Sequence, residues 1–454
     1  MSDNYRGICL QSLFCKVLDI FMLKRDKDIL CTSSAQFGFK EELSANIATS
    51  VVTETVDYFL GRGGNVYALA LDATKAFDRV DFDKLFNVLM QRNFNPLYTR
   101  LLYNMYINQN VRVRYNATYS DYFNVTNGVK QGGVISPTLF TCYIDGMLES
   151  LKESQLGCHV GSEYIGCVSY ADDLVLLAPN LTALRGMIKI CEDYAIEYKI
   201  KFNGSKSQLL VFDKNTSKHP INMRVAGEPV EQVDSLKYLG HYLVNNRNDS
   251  HISPVKKDFI GKVNGFLGDF SSISSHIKFD LFNTYCMSLY GTNICDLDNK
   301  CMEPLYVEWR KSLRRIWNIP YRTHSRLLYH IARTLPPDVI VKQRFVKFFY
   351  SGLMSKNPLV HFVFKNAKCN RSRMSNNLKY IFNNLSFNIC TAECLNQNDI
   401  CKALVRKWWA SCDEDDIRVG TQIREVIDER EGYDTFLLNE SECQHLITFL
   451  CTAD

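Results

Sequence analysis

Two apolar stretches, Tyr164–Tyr170 and Leu174–Ala178, are separated only by Ala171, Asp172 and Asp173. So brief an interruption in an otherwise apolar passage predicts a β-hairpin with buried arms and a tip carrying two adjacent acids. Acids beside Val168, Leu174 and Val175 are costly unless something compensates their charge. An Asp-Asp pair alone is more often an ordinary exposed turn. A second apolar run, Val66–Leu71, follows the break Gly61-Arg-Gly-Gly64 and ends in Asp72. It reads as a strand buried on both faces. Rigid backbone would then deliver three carboxylates to one place, as hard divalent cations such as magnesium require.

The surrounding pattern predicts an α/β layer with helices against one face of a mixed sheet. Helical periodicity runs through Ala45–Phe59, Leu85–Met90, Leu97–Ile107 and Leu181–Tyr198, with a strand at Gln208–Phe212. Val111–Tyr115 and Tyr122–Val125 read as a hairpin with Asn and Ser in the turn. Pro137 opens an apolar helix to about Leu151, with Ser136 as its expected N-cap. Beyond a short strand pair at Leu236–Val244 the chain turns persistently helical.

Composition excludes little. With 46% apolar and 22% charged residues the chain can form globular cores, and no run of ~18 apolar residues offers a membrane span. The first twenty residues lack the compact apolar segment of a signal peptide, so the seventeen scattered cysteines are expected to be reduced thiols of an intracellular, nuclear or cytoplasmic protein. Cys390, Cys394 and Cys401, or Cys443, His445 and Cys451, are the nearest approach to zinc spacing, without the paired C-x2-C geometry. Charge is uneven: residues 301–380 hold 16 Lys or Arg against 3 acids, and residues 411–454 hold 12 acids against 3 Arg. A basic block with aromatics suits a polyanion. A solvated helical surface balanced by the acidic tail explains it as well. In Trp309–Trp317, for example, cations and aromatics interleave at helical spacing. Stacking on bases and inward packing of Trp309, Leu313, Ile316 and Trp317 are both compatible with that spacing.

Three segments occur in a set order: Leu71-Asp-Ala-Thr-Lys-Ala-Phe-Asp-Arg79, Lys130-Gln-Gly-Gly-Val-Ile-Ser-Pro137 and Ser169-Tyr-Ala-Asp-Asp-Leu174. Together they resemble the reverse transcriptase domain of non-long-terminal-repeat (LINE-type) retrotransposons. Lys201-Phe-Asn-Gly-Ser-Lys206 is similar to that family's lysine-bearing motif and Leu236-Lys-Tyr-Leu-Gly-His241 to its primer-grip hairpin. Asn4-Tyr-Arg6 and Gln36-Phe-Gly-Phe-Lys40 are similar to its fingers motifs.

The resemblance implies a right-hand polymerase with a mixed-sheet palm and an all-helical C-terminal region. Residues 1–65 would be partial fingers, 66–235 palm, 236–300 primer grip and thumb, 301–410 a basic helical region and 411–454 an acidic tail. It implies RNA-directed DNA synthesis in which two magnesium ions, or manganese as substitute, hold the attacking and leaving oxygens. The implied partners are an RNA template, a DNA primer or target, and deoxynucleoside triphosphates. Asp72, Asp172 and Asp173 would be the metal ligands, with the Ala73 carbonyl completing the shell. Phe77 would exclude a ribose 2′-hydroxyl, Gln131 and Gly132 would lie over the nucleotide, and Tyr170 would lie beside it. Lys206 would serve the departing pyrophosphate, and Arg6 and Lys40 would clasp the triphosphate.

The first motif lies close to Met1, so the chain is expected to be an N-terminally truncated fragment. Neighbouring enzymes that share the palm are the first rival, and Phe77 argues against a ribonucleotide-using one. A catalytically silent nucleic-acid-binding remnant is the second.

Overall fold

The computed structural model describes residues 7–213, 220–245, 252–368, 370–387 and 395–431. The chain forms two compact units, one of residues 1–239 with 243–245 and 357–359, the other of residues 240–242, 246–356 and 360–454.

The first unit is built on a five-stranded sheet ordered Glu231–Val233, Phe202–Phe212, Val66–Ala73, Asp173–Ala178, Cys167–Tyr170. The strand starting at Val66 is central and antiparallel to both neighbours. Glu231–Val233 runs parallel to Phe202–Phe212, so the sheet is mixed. Leu69, Leu71, Leu176 and Leu209 pack into one core with Met147, Leu148, Leu184 and Met187 from helices Ser136–Glu153 and Leu181–Glu197. Ala68, Val168, Val175 and Leu177 are equally buried. Helix Ala45–Gly61 packs against these strands, with Val51, Val52 and Val56 buried. The expectation of helices on one face is therefore corrected: apolar residues at both parities of the strands force a cover on each side.

Local boundaries follow capping chemistry. Ser44, Asp81 and Asn180 each accept a hydrogen bond from the backbone N–H three residues on, and Pro96 follows the Asn95 cap. Ser136 is not an N-cap, because the helix begins at Ser136 itself after Ile135. Tyr164 is not continuous with Tyr170. It belongs to a separate small hairpin, and Gly166 has no room for a Cβ against the Tyr164 ring. The strand expected at Gln208 starts at Phe202, because Asn203 pairs with Asp72 across an irregularity in the ladder.

The second unit contains helices and no strand beyond His241–Tyr242 among its described residues. Trp309 and Trp317 are 1% and 2% exposed, so inward packing holds and stacking of these two rings on bases does not. The acidic segment is not wholly a solvated tail either. Helix Glu414–Glu431 packs on Ser325–Ile331. Its buried Arg424 donates to Asp428 at 2.7 Å and lies 4.0 Å from the Trp317 ring centroid. No helix among the described residues is long and apolar enough to cross a membrane.

Candidate active site

The sequence-predicted acids lie at one end of neighbouring strands of the sheet, Asp72 on the central strand and Asp172 and Asp173 at the hairpin turn. Tyr170 pairs with Asp173, leaving Ala171 and Asp172 as a two-residue turn in which Ala171 adopts φ +57°. Ala171 is buried, whereas Asp172 and Asp173 are exposed. Leu71 pairs with Leu174 at the end of the adjacent ladder, so Asp72 and Asp173 each lie one residue beyond its last pair. Among the described residues no three His, Cys, Asp or Glu side chains are gathered as a metal-holding cluster. Asp72 thus follows the central strand's last pair with Leu174, and Asp172 lies on the turn before Asp173.

The turn is held from outside the hairpin. Gln36 is fully buried and bridges parallel to Ser169. Its side-chain oxygen accepts from the N–H of Ala171 at 3.0 Å and of Gly38 at 2.8 Å, and its nitrogen donates to the Ser169 hydroxyl at 3.1 Å. The Ser169 hydroxyl in turn donates to the Ala171 carbonyl at 3.1 Å. A Cβ on Gly38 would meet the Ala171 nitrogen at 2.4 Å, so glycine is required for this approach. Buried Tyr238 donates to the Val168 carbonyl at 3.3 Å beneath the same strand. Asp72 is fixed separately, its N–H donating to the Ser207 hydroxyl at 3.2 Å. Ser207 completes the chain with a bond to the Asn203 carbonyl at 2.7 Å. Sequence reasoning missed Gln36, Ser169 and Ser207 as positioning residues, because their work consists of buried hydrogen bonds that no spacing rule announces.

The segment after Asp72 is laced to the one carrying Gln131. Val129 and Gly128 donate backbone hydrogen bonds to Phe77 and Val80 at 2.8 and 2.7 Å. The Gln131 amide donates to Asp78 at 2.8 Å. Gly132 has φ +95° and Gly133 sits where a Cβ would clash with the Ser136 hydroxyl at 2.5 Å. Gly132 thus owes its identity to its backbone conformation, and Gly133 to the closeness of the Ser136 hydroxyl. Phe77 is half-buried and stacked on Phe140 with centroids 4.4 Å apart. Ala73 ends the central strand, and Tyr170 is half-buried at the base of the turn.

Two predicted cations behave differently. Lys206 is exposed on the looped-out stretch between Asn203 and Ser207. The Lys40 ammonium donates to the carbonyls of Thr32 and Ser33 at 2.9 and 2.6 Å, and burial pushes its pKa down. Arg6, Cys390, Cys394, Cys443, His445 and Cys451 lie outside the described residues, while Cys401 is buried in helix Gln397–Ala410.

Residues 2–243 match the family described as reverse transcriptase (RNA-dependent DNA polymerase). A Pol polyprotein from retrotransposable element R2 of Nasonia vitripennis is 28% identical over 38% of this chain and 18% of its own length. The RNA-directed DNA polymerase from mobile element jockey of Drosophila melanogaster is 23% identical over 71% of this chain and 37% of its own. The chain spans well under two thirds of these relatives. Telomerase from Candida Tropicalis aligns at 12% identity with a TM-score of 0.40, over 92% of this chain and 56% of that one. The resemblance read from the motifs to LINE-type elements is thereby borne out.

Proposed function

The chain belongs to the reverse transcriptase (RNA-dependent DNA polymerase) family, and from that premise we propose that it extends a DNA primer with deoxynucleoside triphosphates on an RNA template. The observation that carries this reading is the ladder ending at Leu71 and Leu174, after which Asp72 and Asp173 follow on adjacent strands beside an exposed turn bearing Asp172. In this reading residues 1–65 contribute partial fingers, 66–235 the palm and 236–300 the primer grip and thumb. Residues 301–410 form a basic helical region.

The donor chemistry fits divalent magnesium, with manganese as substitute. Magnesium accepts one or two carboxylates and completes its shell with water and phosphate oxygens. Asp72, Asp172 and Asp173 would hold two such ions between them, with the Ala73 carbonyl as a further oxygen donor. When bound, the cations supply charge stabilisation and acidify the primer hydroxyl. The chain's own residues do the positioning. Gln36 and Ser207 fix the two acid-bearing backbones independently, so the main chain that carries the acids is set before substrate arrives. Phe77, braced by Phe140, presents a rigid edge that suits exclusion of a 2′-hydroxyl. Gln131, tied to Asp78, and Gly132 form a firm floor for the incoming nucleotide, with Tyr170 alongside. Lys206, exposed near Asp72, is available to neutralise or protonate the pyrophosphate. Lys40 braces the loop ahead of Gln36, a role that its carbonyl contacts favour over clasping a triphosphate.

Primer extension on an RNA template, with deoxy- or ribonucleotides, tests the proposal. Magnesium-dependent incorporation of deoxynucleotides, lost by at least about 10²-fold in Asp172→Ala, is expected. Salt-dependent binding of hybrid duplex with no incorporation in magnesium or manganese establishes the silent remnant instead.

A further inference from the structure

Ahead of the Lys130-Gln-Gly-Gly133 segment the chain makes a slender hairpin. Asn110 and Val111 pair with Asn124 and Phe123, and Arg114 and Tyr115 pair with Tyr119 and Thr118 around Asn116. Every residue from Arg112 to Asn124 is exposed. A two-stranded ribbon of this kind has no core of its own and gains nothing by turning large rings outward. Yet Tyr115, Tyr119, Tyr122 and Phe123 are 64, 52, 65 and 48% exposed. The Arg112 guanidinium lies 4.1 Å from the Tyr119 ring centroid and 5.1 Å from that of Tyr122, while Arg114 lies 5.8 Å from Tyr119. Two arginines and one acid, Asp121, make the ribbon basic.

The ribbon's foot is tied to the nucleotide side of the site. Within five residues of Asn124, Asn127 donates to the Asp78 carbonyl at 2.9 Å and Val129 to that of Phe77 at 2.8 Å. The ribbon beside this site therefore offers rings with exposed stacking faces and guanidinium edges with donors for phosphate. That combination is what a single strand with unpaired bases needs, and a duplex, whose faces are already stacked, cannot use the rings.

We propose that the hairpin Asn110–Asn124 is a docking surface for the unpaired RNA template beside the active site. Tyr119 and Tyr122 serve as stacking platforms and Arg112 and Arg114 as phosphate contacts. The inference deepens the polymerase reading and rests on it for the identity of the strand. Its test is binding without metal or nucleotide, so that it is separable from catalysis. Anisotropy compares a blunt RNA–DNA hybrid with the same hybrid carrying a 5′ RNA overhang of about ten nucleotides.

Wild type is expected to bind the overhang form at least about tenfold more tightly, since each stacked base adds about that much. Tyr119→Ala with Tyr122→Ala, and separately Arg112→Ala with Arg114→Ala, should bring the preference close to unity. Tyr119→Phe with Tyr122→Phe should retain it. Circular dichroism confirms that each variant folds, which the exposure of these side chains favours. Equal binding of both probes by wild type overturns the proposal. So does an alanine pair that leaves the preference intact, or one that instead converts a dimer to a monomer in sedimentation. If overhang preference persists while primer extension fails, the polymerase reading falls and the single-strand surface stands.

Discussion

Gln36 concentrates more of the site's geometry than any of the acids does. One buried amide satisfies two backbone N–H groups and a hydroxyl, and so decides where the Asp172 turn can sit. Leucine at this position keeps the volume and abandons those partners in a dry environment. Gln36→Leu is expected to lose about 2–4 kcal/mol of stability, since each orphaned buried group costs about 1–3 kcal/mol. Urea unfolding measures it, and a loss below about 0.5 kcal/mol would remove Gln36 from its assigned role. The acids themselves were legible in the sequence, because Asp72, Asp172 and Asp173 all abut apolar runs whose length defines strands. Gln36 and Ser207 were not. Their partners lie 135 residues away in each case, and hydrogen bonds across that separation leave no periodic trace.

At the level of elements, strand and helix existence followed the apolar periodicity, and most boundaries moved by a few residues. The misreadings have one origin. Ser136 looked like a cap and Tyr164 looked like part of a long arm because local residue type was read without its neighbours. In the hairpin Ser235–Val244, His241 shows how burial alters chemistry that sequence leaves at its ordinary value. The ring is 3% exposed and stacked on Tyr290 at 4.4 Å, and burial pushes its pKa down to about 4. The folded state therefore keeps the imidazole neutral, whereas the unfolded chain accepts a proton near 6.5. Stability held above pH 6.5 is lost as pH falls below it, and the loss levels off beneath about 4. His241's share of that loss amounts to about 3 kcal/mol. His241→Phe, which retains the stacking, is expected to flatten this part of the pH profile in urea unfolding. An unchanged profile would refute the assignment.

For the molecule as a whole, net charge is a poor guide to how much electrostatic attraction is available. The basic stretch 301–380 uses many of its cations internally. Arg310 pairs with Glu303, Lys311 with Glu308 at 2.9 Å and Lys342 with Asp338 at 3.1 Å. Arg314 donates to the Thr323 carbonyl at 2.9 Å, and Arg344 to that of Met287. Affinity for hybrid duplex is accordingly expected to behave as if roughly six phosphates were neutralised, falling about 10³-fold between about 50 and 200 mM salt. Titration at several salt concentrations reads the slope, and a flat line would show that these helices do not meet the backbone of nucleic acid.

The position of Val66–Ala73 in the middle of its sheet governs how the protein is made. Its two neighbours are Asp173–Ala178 and Phe202–Phe212, both encoded more than a hundred residues later. A ribosome adding about 5–20 residues per second needs roughly 7–30 s to deliver the second partner. Until Ala178 is made, a largely apolar ribbon waits with both edges unpaired, and until Phe212 is made one edge stays open. Newly made chains should therefore depend on chaperone shelter until Phe212 has emerged, and any pause in translation before that point should favour aggregation.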